Sequence, residues 1–247
     1  MKWLVPKIWD GGDVYILGGG PSVTKQFNIP ESVVKKVIEG SGSPSIYSPY
    51  MSFLHDKHVI GINVAYLIGN WIDIIFFGDS GFLNNHQKGL SDFPGLKVSC
   101  HPITEKYPWI KYLVKEIKHQ KGISTHRGLV SWNYNSGAAA ISIAAHSGAK
   151  RILLLGFDMK LSDNKCQHWH DVYHRRERLL QKQNIGLPFE RHLRGFPEIA
   201  KDARKMGIEI INLCPDSAIT QFPKMSVDEW INKVRLESVK ELEYECY

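Results

Sequence analysis

Asp13-Val14-Tyr15-Ile16-Leu17-Gly18-Gly19-Gly20-Pro21-Ser22 joins an apolar run of strand length to a glycine turn and a serine. In a parallel sheet such a turn opens at the carboxyl edge of the strand. With no side chains in the way, backbone N–H groups there can approach a phosphate. The spacing is neither G-x-G-x-x-G nor G-x-x-x-x-G-K-[ST], so by itself the turn is equally an ordinary strand-to-helix connection. Its meaning depends on what the rest of the chain brings to the same edge.

Val14–Leu17 is followed by five further runs of this kind: His58–Asn63, Asp73–Phe77, Leu96–Cys100, Arg151–Leu155 and Glu209–Leu213. Their near-continuous Ile, Val, Leu and Phe content is what strands covered on both faces require. Ahead of the fifth run, Ser136 to Gly148 predicts an alanine-rich helix with Ser136 as N-cap and Gly148 as its stop. A second helix, Phe196–Met206, leads through Gly207 into the sixth run. This alternation predicts an α/β fold: a single Rossmann-like, doubly wound, mostly parallel sheet with right-handed crossovers. Glu39–Pro49 reads as a polar loop, and Asp163–Arg194 as a long lid-like insertion after the fifth strand. Residues 224–247 read as an amphipathic helix and charged tail, packed on the domain or against another subunit. No linker or repeat interrupts the chain, so 1–247 reads as one domain.

Of the 247 residues 43% are hydrophobic, enough for a substantial core, and 23% are charged. A net charge of +6 favours anionic partners without choosing among nucleotides, nucleic acid and acidic glycans. The four cysteines are widely separated with no C-x-x-C pair, which points to a reducing cytoplasm. No signal-peptide pattern and no apolar run of membrane-spanning length is present, so the expectation is a soluble intracellular protein.

Ligands of open α/β sheets bind outside the carboxyl ends of the strands. The residues that follow the predicted strands are Gly18–Ser22, Asn63, Gly78-Asp79-Ser80, Gly156-Phe157-Asp158 and Cys214-Pro215-Asp216-Ser217. Small or polar groups at every one of these termini predict a ligand site there. Asn63 suits a hydrogen bond to a ribose or base edge, or simply a turn. Ser136, with the N–H groups of Gly137 and Ala138, suits a phosphate at a helix N-terminus. Asp79 and Asp158 suit a cation beside a diphosphate, a ribose hydroxyl, or an Asx-turn. His168-Trp169-His170-Asp171 and His174 admit a metal, a general base or a phosphate contact. His192 is another candidate acid or base. Arg175, Arg176, Arg178, Arg191 and Arg194 suit either a clamp on an anionic substrate or a solvated basic face.

Leu17-Gly-Gly-Gly-Pro-Ser22, Gly61-Ile-Asn63, Asn135-Ser136-Gly137 with its alanine helix, Leu154-Leu-Gly-Phe-Asp158 and Cys214-Pro-Asp-Ser217 stand in a telling order. That order and approximate spacing resemble the bacterial lipooligosaccharide sialyltransferases. They also resemble the motility-accessory-factor-like proteins, a group that includes a hydroxymethylpterin diphosphokinase. Phage proteins with patterns like Phe76-Phe77-Gly78-Asp79 and His168-Trp169-His170 look closer still. The resemblance runs from roughly Asp13 to Pro223. It implies a Rossmann-like nucleotide-binding transferase, most simply a glycosyltransferase that moves a sugar from a nucleotide-activated donor to a hydroxyl acceptor.

In the sialyltransferases, positions matching Asn63, Ser136 and Asp158 serve a cytidine-type donor. With the strand-end residues read above, donor binding is expected at Gly18, Gly19, Gly20, Ser22, Asn63, Asp79, Ser136, Gly137 and Asp158, the resemblance itself carrying over Asn63, Ser136 and Asp158. Lys160 stands where the family has a tyrosine that assists the departing phosphate, and His170 or His192 would deprotonate the acceptor. Two alternatives stay open: an ATP- and Mg²⁺-dependent diphosphokinase-like enzyme with Asp79 and Asp158 as metal ligands, and a non-catalytic nucleotide or nucleic-acid binding protein. Nucleic acid is a candidate acceptor, and an oligomer is open. A phage-encoded member would work in the host cytoplasm.

Overall fold

The computed structural model describes residues 3–170, 172 and 187–245. In chain order its strands are β1 (Asp13–Leu17), β2 (His58–Ile62), β3 (Ile74–Phe77), β4 (Leu96–Ser99), β5 (Ile110–Tyr112), β6 (Val114–Lys115), β7 (Leu129–Val130), β8 (Arg151–Leu155) and β9 (Glu209–Asn212). Seven of them form one sheet in the order β5-β4-β3-β2-β1-β8-β9, and every neighbouring pair is parallel. β6 and β7 pair separately as a small parallel ribbon. All six predicted runs are strands of the main sheet. β5, β6 and β7 were not expected from the sequence: they are two or three residues long, and β5 (Ile-Lys-Tyr) lies at the sheet edge.

The continuous apolar runs are explained by the sheet's two covered faces. Val14, Ile16, Ile60, Ile74, Phe76, Ile152 and Leu154 point into one core. Tyr15, Leu17, Val59, Ile75, Phe77, Leu153 and Leu155 alternate with them into the other.

Seven α-helices are described: α1 (Ser22–Gln26), α2 (Glu31–Ile38), α3 (Ser80–Asp92), α4 (Ser136–His146), α5 (Phe189–Leu193), α6 (Phe196–Met206) and α7 (Val227–Glu245). α4 packs across β1, β2, β3 and β8, and its residues from Gly137 to Ala145 are all buried. Alanines let the helix axis approach the sheet closely.

The N-cap of α4 is Asn135, not Ser136 as the sequence suggested. Asn135 has extended backbone (φ −156°), and its Oδ1 accepts from Gly137 N at 2.8 Å and Ala138 N at 3.3 Å, whereas Ser136 is already helical. The stretch expected to be a polar loop is in part a 3₁₀ segment, Pro44–Leu54, with Tyr47, Met51 and Leu54 fully buried. Prolines 44 and 49 lack the N–H that a regular α-helix needs, while the apolar spacing still gives the segment a buried face.

α7 packs on the domain. Trp230 is fully buried and its Nε1–H donates to Tyr15 Oη at 2.8 Å. At the amino ends of β1 and β8, Arg151 binds Asp13 through Nε (2.6 Å) and Nη2 (2.9 Å) and reaches Glu237 at 2.7 Å. Among the described residues, no helix is long and apolar enough to cross a membrane.

β1 sits between β2 and β8, so the chain leaves it toward opposite halves of the sheet. The carboxyl ends of β1 and β8 therefore flank the crevice where doubly wound sheets bind ligands.

Candidate functional site

A cleft of about 500 Å³ opens over that crevice, a size suited to a nucleotide. Gly18, Gly19, Gly20, Asn63, Asp79, Ser136, Gly137, Asp158, Lys160, His170 and His192 all line it. Two groups named from the sequence stand behind the cleft wall. Ser22 is not part of the lining; its hydroxyl donates to Asp158 Oδ2 at 2.8 Å and its backbone N–H to Oδ1 at 3.0 Å. The Cys214–Ser217 turn is also outside the lining and braces the β8 turn instead. Ser217 Oγ donates to Phe157 O at 2.6 Å, and Ala218 N to Asp158 O at 2.8 Å.

The β1 and β8 turns are fitted to each other without side chains. Gly18 N donates to Leu155 O (2.8 Å) and Gly20 N to Gly156 O (2.9 Å). A Cβ at Gly20 would overlap the Asp158 carboxylate, and Gly156 holds φ +68°. Asp158 is buried, and desolvation raises its carboxyl above the ordinary value despite the two bonds from Ser22. That carboxylate joins the two turns. Asp79, by contrast, is exposed at the head of α3 and makes no side-chain cap bond. Among the described residues no group of three or more His, Cys, Asp or Glu gathers to hold a metal ion. Asp171, His174, Arg175, Arg176 and Arg178 lie outside the described residues.

The Gly137 and Ala138 amides, named from the sequence as a phosphate site, both donate to Asn135 Oδ1. Beside them, the Trp132 ring fills the space a Cβ at Gly78 would need, and Lys115 Nζ lies 4.1 Å from its centroid. Asn63, Tyr134 and Met159 all line the cleft with left-handed backbone (φ +53°, +57° and +50°). Such conformations concentrate at functional sites. The Asn63 Oδ1 atom is buried with no hydrogen-bond partner, a state that an incoming donor group would relieve.

On the opposite wall, the His168 and His170 rings stack in parallel at 5.0 Å. His168 Nδ1–H donates to Gly19 O at 3.3 Å. Burial lowers the pKa of His168 and of His192 to about 4, and of His170 well below its ordinary value. All three rings are therefore neutral at pH 7, the form in which an imidazole accepts a proton. His170 is nearly fully buried; His192, on α5, is half-buried beside exposed Arg191.

The sequence reading did not single out Lys115, Trp132, Tyr134, Gln167 and Phe189 as cleft residues. Trp132 and Tyr134 were within reach of it, since they stand just before a helix that starts at the carboxyl edge. Lys115 carried no such signal, because the β6–β7 ribbon places it.

No family model and no curated protein sequence matches the chain. Solved structures do. The monofunctional α-2,3-sialyltransferase Cst-I of Campylobacter jejuni is 15% identical, with 87% of this chain and 80% of that chain covered, at a TM-score of 0.53. The sialyltransferase CstII of the same organism, in complex with cytidine-5′-monophosphate, is 14% identical, with 87% and 84% covered and a TM-score of 0.48. The MAf glycosyltransferase of Magnetospirillum magneticum AMB-1 is 10% identical, with 92% of this chain but 36% of that chain covered, at 0.49. At such identities the likeness is one of architecture, and the Cst-I match carries it.

Proposed function

We propose that this chain is a glycosyltransferase that moves a sugar from a nucleotide-activated donor to a hydroxyl acceptor. The observation that carries the reading is the composition of one cleft at the sheet's switch point. A side-chain-free turn, the unpartnered Asn63 Oδ1, three cations (Lys115, Lys160 and Arg191) and neutral histidines share its lining. The donor nucleotide lies against Gly18–Gly20, and Asn63 accepts from its base or ribose. A cytidine-type donor is the class the sequence resemblance favours.

The acceptor oxygen bonds to the anomeric carbon as the bond from that carbon to the phosphate oxygen breaks. The electron pair leaves with the phosphate, where exposed Lys160 and Arg191 meet the growing charge. The acceptor proton passes to His192, the more accessible neutral imidazole, while buried His170 lines the floor.

The test is a thermal-shift and calorimetric panel of cytidine, uridine, guanosine and adenosine nucleotides and their sugar conjugates, with and without Mg²⁺, followed by donor turnover. Metal-independent stabilisation by a nucleotide-sugar, with turnover lost but binding kept in His192→Ala, supports the reading. Stabilisation by ATP only with Mg²⁺ would assign the diphosphokinase-like alternative. DNA binding without turnover of any donor would overturn catalysis altogether.

A further inference from the structure

Trp169 stands between two cleft-lining histidines yet does not line the cleft itself; it is buried to 1% exposure. Its indole Nε1–H donates to Gly18 O at 2.9 Å, and its backbone N–H donates to Gly19 O at 3.1 Å. From the other side Tyr47 Oη donates to Trp169 O at 3.2 Å, with the two rings edge to face at 6.0 Å. The carbonyls it holds belong to the turn whose own N–H groups are tied to the end of β8. The fit is close, since a Cβ at Gly19 would lie 3.1 Å from His168 Nδ1 and one at Gly18 would lie 2.8 Å from Gly156 O.

We propose that Trp169 is a positioning residue of this site. Through its two N–H groups it locks the His168–His170 pair onto the main chain of the glycine turn, so that the donor-binding turn and both rings keep one fixed relation. Its consequence for turnover rests on the transferase reading; the geometric half does not. A carbonyl that accepts from a buried indole cannot rotate away without leaving a donor unpaired, so turn and rings move together or not at all. Among the described residues, the titratable side chains that face the pair include His86 and His192, neither bonded to Trp169.

A buried tryptophan also fills core space, and Trp230 supplies the matched comparison. It too is fully buried, with one indole bond to Tyr15 Oη, and it lies outside the cleft lining. The experiment compares full-length Trp169→Phe and Trp230→Phe, each of which loses an indole N–H and some ring area. The readouts are melting temperature, the NMR titration of the imidazoles in ¹⁵N-histidine-labelled protein, and nucleotide affinity.

Both variants are expected to lose stability. Only Trp169→Phe is expected to let water reach the His168 and His170 rings, raising their proton affinity by about tenfold, one pKa unit. It alone is expected to weaken nucleotide binding, by about tenfold, as preorganisation is lost. Identical histidine titrations in Trp169→Phe and wild type would overturn the proposal. So would equal shifts in both variants, which would reduce Trp169 to core packing. Should wild type bind no nucleotide, the transferase reading fails while the titrations still decide the positioning role. Should Trp169→Phe not fold, Tyr47→Phe removes only the bond to the Trp169 carbonyl. It is expected to move the same titrations in the same direction by less, and unmoved titrations there overturn the proposal.

Discussion

The carboxylate of Asp158 accepts from both the backbone N–H (3.0 Å) and the hydroxyl (2.8 Å) of Ser22, a residue 136 positions away in the chain. This pair stitches the turn after β1 to the turn after β8 at the floor of the cleft. Burial raises the carboxyl above its ordinary 3.8, so the folded protein binds that proton more tightly than the unfolded chain. Its contribution to stability therefore falls as pH rises from 3.8 through the raised value. Ser22→Ala removes the hydroxyl donor. We expect a loss of about 1–3 kcal/mol at pH 7, shrinking in acid where Asp158 is protonated. Urea denaturation at pH 7 and pH 4 measures it.

Gly20 and Gly81 make a contrasting pair. A methyl at Gly20 would collide with the Asp158 carboxylate and come within 2.6 Å of Gly156 O, whereas a Cβ at Gly81 on α3 meets nothing within 4 Å. Gly20→Ala is expected to lose about 1–3 kcal/mol and any nucleotide-induced rise in melting temperature. Gly81→Ala is expected to gain about 0.5–1 kcal/mol by removing a helical glycine. Thermal melts with and without nucleotide read both.

The histidines predict an acid sensitivity of definite sign. His168 and His192 have pKa values lowered to about 4 by burial, against 6.5 in the unfolded chain. The stability they contribute is complete above 6.5 and is lost as pH falls toward 4. On the transferase reading, bound nucleotide phosphate is expected to place negative charge near the rings, raise these values and flatten the loss. Melting temperature recorded from pH 7 to pH 4.5, with and without nucleotide, checks the sign.

His192→Ala is expected to lower turnover by about 10²–10⁴ while leaving the nucleotide dissociation constant within about threefold, since a base on the acceptor side adds little to ground-state donor affinity. Single-turnover kinetics beside calorimetry separates the two. A matching fall in affinity and rate would assign the ring to donor binding instead.

Lys160 and Arg191 line the cleft with exposed side chains. Lys160→Ala and Arg191→Ala are each expected to weaken nucleotide affinity by about tenfold at low salt, the worth of one charge-assisted hydrogen bond. The differences narrow at 0.5 M salt, where solvent-exposed attraction is screened. Calorimetric titrations at two ionic strengths check this.

Strands covered on both faces write themselves plainly into sequence, and so all six longer runs were legible. β5 was not, because three residues at a sheet edge with a Lys and a Tyr carry no periodicity. The Pro44–Leu54 segment hid behind its serines and prolines, although Tyr47 and Met51 are fully buried. At the site, residues directly after strands could be placed from pattern alone, as with Gly18–Gly20, Asn63 and Asp79. What each side chain binds could not. Asn135 and Ser136 are both good caps by type, and only backbone conformation tells them apart. Trp169 looked like the middle of a histidine motif; its bonds to Gly18 and Gly19, about 150 residues upstream, are visible only in three dimensions.

Arg151 grips Asp13 across 138 residues, and β1 completes its hydrogen bonding only when β8 arrives beside it. A ribosome therefore releases the glycine turn long before its counterpart exists. Until then the nascent chain carries one apolar strand paired along a single edge, the kind of exposed edge that chaperones shield. Assembly of the cleft therefore depends on contacts between halves of the chain made far apart in time.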